Sequence, residues 1–451
     1  MLTFYDTRHV QMESLHIVME NGTHRDGKRH HRGQMVAAST SEGTLCRCLV
    51  QGSWGYSVVE GEFQEGCLKR AEQNAIALQQ IVQRDKISLL PLPHAPSSFR
   101  AKPRLDVRDV AIEDKLRLMR ELYERTRLDE VVSTRVVYSE AIVRTEYQSS
   151  EGIEVWSEYP RVMLSVMCVA RRQGVLQMGM ESRAHVGGYE LVEKHDFHAL
   201  AHKAATRAVQ LLDAVHVEGG RRRVLLDPEL AGVFTHEAVG HATEADIVLE
   251  GGSILADTLG RQIAAEGVSV VDDPTIRDGY GFYAFDDEGV EAKRTPLIED
   301  GVHVGYLHSR ETAARLGDGE GGNARAQGTN VPIVRMSNTF VENGDMAFEE
   351  MLTELKDGVY LKGSRGGQVS TAEGVFQFNA EYGYEVRNGE LVRMLRDVSL
   401  SGNTLDILRK IEGVGCDLTL HSGRCGKSGQ LVPVSDGSPH LLVGEALVGG
   451  R

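Results

Sequence analysis

His236 and His241 stand five residues apart, with Glu237 directly after the first and Gly240 directly before the second. This spacing constrains the fold more than any other feature of the chain. Side chains at i and i+4 stack on one helix face, but at roughly 100° per residue those at i and i+5 diverge by about 140°. If both imidazoles are to meet one ion, the helix that carries them must be distorted, for example by a single-turn π-bulge at Gly240. The preceding residues supply a helix to distort. Val224-Leu225-Leu226 reads as a short buried strand, Asp227 as an N-cap and Pro228 as the first helical position, with Leu230, Val233 and Phe234 leading into the motif.

Two imidazoles beside a carboxylate form the usual kit of a catalytic zinc. The histidines hold the metal and the glutamate takes a proton from the attacking water. Such a site normally has a third protein ligand. Glu244 and Asp246 lie just downstream of His241. Cys425, in the tight turn Gly423-Arg424-Cys425-Gly426-Lys427, is a distant alternative, and a cation beside it favours a thiolate. Spacing alone is equally met by a surface helix carrying His and Glu, and a lone Cys425 by a small structural residue.

The remaining chain bounds the setting. Its 451 residues suffice for two or three domains with their own cores. The net charge of −15 argues against a nucleic-acid partner, because phosphate binding needs a basic face. The local exception, His24 to Arg32, reads as a solvated turn between strands. No apolar run approaches the roughly 20 residues that cross a bilayer, so no membrane association is expected. The first residues lack a signal-peptide pattern, which makes the cytoplasm the expected compartment. Six irregularly spaced cysteines are not a disulfide framework, and Cys46 and Cys48 read as buried strand residues. The 49 glycines imply many turns and hence many short strands.

The fold class expected is α+β: an N-terminal strand-and-helix domain over 1–218, then a larger β-rich domain over 219–451 that carries the metal-site helix. In the first, hairpin signals stand at Asn21-Gly22 and Gln51-Gly52. A helix is predicted over 63–84, with Cys67, Ala71, Ala75, Leu78 and Val82 on one face. Pro91, Pro93, Pro96 and Pro103 mark a connector. A second helix has the stripe Ile112, Leu116, Met119 and Tyr123; strands fill 131–187; a third helix spans 196–214. Composition shifts at Gly219-Gly220-Arg221-Arg222-Arg223, the expected boundary. Beyond 246 come short strands, among them 268–274 and 304–308, a glycine-rich loop over 317–323 expected to be mobile, and a short helix over 348–357.

Several stretches together resemble the TldD/PmbA family of modulator proteins, and within it the catalytic TldD branch. They are DPELAGVFTHEAVGHATEAD, VVDDPT, RMSNTFVENGD, GVYLKGSRGGQVSTAEGVFQF and CGKSGQLVPVSDGSPHLLVGEALVGG, with LVQGSWGYS in the first half. The likeness covers essentially the whole chain and is strongest from about 224 onward. It departs at the start, where the family carries a helix ahead of the first strand.

The resemblance implies a zinc metallopeptidase acting on short or unfolded peptides. By position, His236, His241 and Cys425 match the family's metal ligands and Glu237 its catalytic base. It further implies a homodimer, or a heterodimer with a PmbA/TldE-like subunit that lacks the His-Glu motif. A substrate in this setting is expected to bind as an extended strand added to a sheet edge. Gly366, Gly367 and the 317–323 loop are candidates for close approach to its backbone. Arg325 is a candidate substrate contact and, with Tyr280, Tyr283 and His308, a candidate oxyanion donor. The rival expectation is a non-catalytic, metal-stabilised modulator; an intact Glu237 argues against it, since a structural zinc needs no base.

Overall fold

The computed structural model describes residues 2–21, 33–81, 86–92 and 97–450. The basic stretch 24–32, the turn expected after Asn21, and Val82, Pro93 and Pro96 lie outside them.

The fold is α+β, with a β-rich C-terminal half. Gln51 and Gly52 both take positive φ, 49° and 85°, the pairing that lets a two-residue turn follow the twist of its strands. They join Gly33–Val50 to Ser53–Glu60. The first sheet runs from Ser53–Glu60 through Gly33–Val50, Leu2–Asn21 and Val131–Ser149 to Glu154–Arg172, which also pairs with Val175–Val186. The connector holds a short edge strand, Ser97–Arg100, parallel to Glu154–Arg172.

Helices Ile112–Arg125 and Phe197–Gln210 bury Met119, Leu122, Ala204 and Ala208 with Val162 and Leu164 of this sheet. Helix Glu65–Ile81 buries Cys67, Ala71 and Ala75 with Cys46 and Cys48. Leu78, expected on the same face, is exposed.

Within the C-terminal half, a sheet closes on itself. Gly358–Ser370, Gly220–Leu226, Leu441–Gly449, Ser399–Asn403 and Val375–Arg387 follow one another, and the last pairs back with the first. A second sheet runs Val302–His303, Thr295–Glu299, Val270–Asp272, Asn338–Val341, Gln430–Ser438 and Thr419–Lys427, so Thr419–Lys427 is its edge. The expected strand over 304–308 is displaced: pairing ends at His303, and Leu307 makes only an isolated bridge to Glu244. The glycine-rich loop is exposed at Gly317, Gly319 and Glu320 and buried at Gly321, Gly322 and Asn323. No helix among the described residues is long and apolar enough to cross a membrane.

Helix Pro228–Thr235 lies between the closed sheet and the open one. Asp227 caps it, its carboxylate accepting from the Leu230 amide at 2.9 Å. Phe234 packs edge-on against Phe376 of the closed sheet, with ring centroids 5.3 Å apart. On the other side Gly232 touches strand Gln430–Ser438, where a Cβ would stand 2.9 Å from Gly437 Cα.

Candidate metal centre

The helix does not continue regularly through the motif. His236–Gly240 form a π-turn, and a short 3-10 turn, His241–Thr243, follows. The wider turn absorbs the extra residue and returns His241 to the side of His236. Gly240 permits it: a Cβ there would lie 1.9 Å from Met336 Sδ, inside a side chain that is itself fully buried.

His236, His241 and Cys425 each offer a donor atom, and the three atoms lie within 4.8 Å of one another. The imidazoles meet edge to face, 5.2 Å apart at 85°, and His241 Nε2 is 3.4 Å from Cys425 Sγ. A zinc with donors at about 2.0–2.3 Å needs them about 3.3–3.6 Å apart in a tetrahedral arrangement, so the cluster is close to what the ion requires. His236 Nδ1 is buried with no hydrogen-bond partner among the described residues. Two imidazoles, one of them with an unmet nitrogen, and a thiolate are a fitting donor set for zinc.

Electrostatics point the same way. Burial opposes a charged sulfur, but the two imidazoles beside it outweigh burial and bring Cys425 down to about 4. Burial likewise opposes charge on the histidines, yet Cys425 raises His236, and Glu244 with Cys425 raises His241 well above the ordinary imidazole value. The protons those groups hold are what a bound metal displaces.

Of the alternative third ligands, Glu244 takes another role. Its carboxylate accepts from His241 Nδ1 at 2.9 Å, leaving Nε2 to face the sulfur. A carboxylate behind a ligating imidazole fixes its orientation and tautomer. Lys427 does not support the thiolate directly: its ammonium ties Glu244 (3.1 Å) and Asp246 (2.7 Å) together. Glu244→Gln is expected to weaken metal affinity about 10–100-fold. Competition with a chromophoric chelator reads this, and an unchanged affinity would mean that His241 is oriented by something else.

The cluster sits in a cleft of about 610 Å3 lined by residues 421–427 of the edge strand and by Glu237, Gly366 and Gly367. Glu237 is partly exposed, its Oε2 3.9 Å from His241 Nε2. Arg325, Tyr280, Tyr283 and His308 are not among the lining residues. Arg325 instead donates to the carbonyls of Met336 and Pro433, and Tyr283 to that of Gly322.

Sequence reasoning missed two acids of this cleft, Glu229 and Asp436. Burial, with Asp227 and Glu381 nearby, pushes Glu229 up to about 8; burial pushes Asp436 up to about 6 despite His236. Both were findable. Glu229 precedes His236 by seven residues, two helical turns, and so shares its face. Asp436 faces His421 once the turn at Ser428-Gly429 sets the hairpin register.

Comparison with known proteins gives a consistent picture. The PmbA/TldA metallopeptidase C-terminal domain matches residues 219–450, and the central domain of the same family matches residues 105–212. A protein of Archaeoglobus fulgidus named "Metalloprotease" is 43% identical over 456 residues, covering 100% of both chains. A "Zinc metalloprotease TldD homolog" of Saccharolobus solfataricus is 30% identical, covering 92% of this chain and 91% of its own. A solved structure from Thermotoga maritima, described as a candidate modulator of a DNA gyrase, shares the fold. Its TM-score is 0.78 at 22% identity, over 99% of this chain and 96% of that one.

Proposed function

The chain belongs to the PmbA/TldD metallopeptidase family, and on that premise we propose that it is a zinc-dependent peptidase hydrolysing short or unfolded peptides. The observation that carries this reading is the convergence of His236, His241 and Cys425 beside Glu237 in an open cleft. The two imidazoles and the sulfur would hold the metal. A zinc held there supplies Lewis acidity, which polarises a scissile carbonyl and acidifies water. Glu237 accepts the proton of the attacking water and returns it to the leaving amine. Lys427 and Glu244 keep His241 facing inward meanwhile.

Substrate binds along the free edge of Thr419–Lys427. Arg424 stands opposite Pro433, which has no N–H to exchange, so this is a non-hydrogen-bonded pair. The backbone groups of Ser422, Arg424 and Gly426 therefore point off the sheet, towards an added strand. Main-chain recognition of this kind tolerates varied sequences but demands an extended peptide. Residues 1–218 and 219–451 act as two domains, and the working unit is a dimer, with a second copy or with a PmbA/TldE-like subunit. The cytoplasm is the proposed compartment.

The test is selective hydrolysis. Zinc-loaded protein is expected to fragment reduced, carboxymethylated lysozyme and to leave native lysozyme intact, read by mass spectrometry. Equal resistance of both substrates would overturn the peptidase reading in favour of a modulator.

A further inference from the structure

A second cavity, of about 420 Å3, lies between the first sheet and the C-terminal half. Arg424 lines it and also lines the metal cleft, so the two spaces share a wall. Three other arginines face it, and they differ in what they hold. Arg8 pairs with Asp287 at 2.9 Å. Arg325 is satisfied by two backbone carbonyls, at 2.5 and 2.7 Å. Arg161 has neither ion pair nor hydrogen bond among the described residues. Its Nε is enclosed without an acceptor, and its guanidinium stands 5.4 Å above the Tyr159 ring.

Arg161 is only partly buried, but a guanidinium nitrogen enclosed without an acceptor is costly to keep. Burial, with Arg325 adding to it and Tyr280, Tyr159 and Asp287 opposing, brings Arg161 down to about 10. The carboxylates around the cavity do not meet it. Glu42 lies 3.2 Å from His9 Nε2 and accepts from Gln11. Asp287 is committed to Arg8 and to the Ala326 amide. Asp286 accepts from the amides of Glu288, Val290 and Ala324, while burial, with Glu288 beside it, raises it above the usual carboxylate range. Glu140 pairs with Lys115 at 2.8 Å. Glu60 is exposed at the end of its strand. What remains facing the space is the Arg161 guanidinium, the exposed Arg424 and the buried Tyr280.

We propose that this cavity is a carboxylate-binding site, in which Arg161 grips the anion through paired N–H donors and Tyr280 donates its hydroxyl. The carboxylate has two sources: the C-terminus of a peptide lying along Thr419–Lys427, or a free dicarboxylic acid. Only the first rests on the peptidase reading.

Calorimetry separates them. Zinc-loaded Glu237→Gln protein, which binds without cutting, is titrated with one octapeptide as free acid and as C-terminal amide, and with succinate. The free acid is expected to bind roughly tenfold tighter than the amide, and Arg161→Gln to erase the difference, since a charge-assisted bond is worth about that much. Arg161→Lys, which keeps the charge without the fork, recovers some of it. Succinate binding that Arg161→Gln abolishes, with acid and amide peptides alike, supports the site as a separate one for small acids. That result stands even if no peptide is ever cleaved. Because Arg161 has no partner to strand, ligand-free Arg161→Gln is expected to melt at or above the parent temperature. A lowered melting temperature, together with equal affinity of every probe for both proteins, overturns the proposal and makes Arg161 structural.

Discussion

Glu237→Gln is expected to retain one zinc per chain and to lose peptide cleavage by about 10²–10⁴-fold, the usual contribution of a positioned general base. The two outcomes are separable because the carboxylate stands beside the ligand cluster and not within it. The donor atoms within 4.8 Å of one another belong to His236, His241 and Cys425. Glutamine keeps the shape and removes only the capacity to take a proton. Glu237 is partly open to the cleft, so its replacement strands no buried partner, and stability is expected to stay within about 0.5 kcal/mol. Metal analysis alongside mass-spectrometric detection of fragments makes the check. Cleavage surviving above a tenth of the parent rate assigns the base to another residue.

Cys425→Ala is expected to lose both metal and cleavage. A ligand from the outer shell costs 10–100-fold in affinity when removed, and loss of a direct ligand exceeds that. Here it also removes the anion that the two imidazoles enclose. The parent protein offers a matching measurement. With zinc bound, Cys425 is expected to resist alkylation by iodoacetamide, and to react once a chelator is added. The exposed Cys416 serves as the internal control that reacts throughout. Rapid alkylation of Cys425 in zinc-loaded protein would mean that the sulfur is free, and would turn attention to thiol chemistry.

Much of the centre was legible in the chain because its determinants are local. Asp227-Pro228 announces a helix start, and the five-residue offset of the histidines requires a widened turn, which is found at His236–Gly240. Gln51-Gly52 marks a turn because few residue pairs accept two positive φ values. What local rules could not decide was which of Glu244, Asp246 and Cys425 brings its donor atom into one cluster with both imidazoles. That depends on an edge strand nearly two hundred residues downstream, and family resemblance supplied the expectation. Arg325, Tyr280 and Tyr283 were sensible choices by residue type, but sheet packing turns them to the other cavity. The closed ring of five strands left no trace in the pattern, since alternation is the same whether a sheet ends or returns on itself.

The long reach from His241 to Cys425, 184 positions, has a consequence for safety inside a cell. A ribosome midway between them has already made the histidines and the glutamate but not the sulfur. The unfinished polypeptide is itself a loose, extended chain, the very kind of material such an enzyme would digest. On the peptidase reading, placing the last ligand on a strand made so much later would withhold hydrolytic competence until the molecule has wrapped itself up and is no longer its own prey.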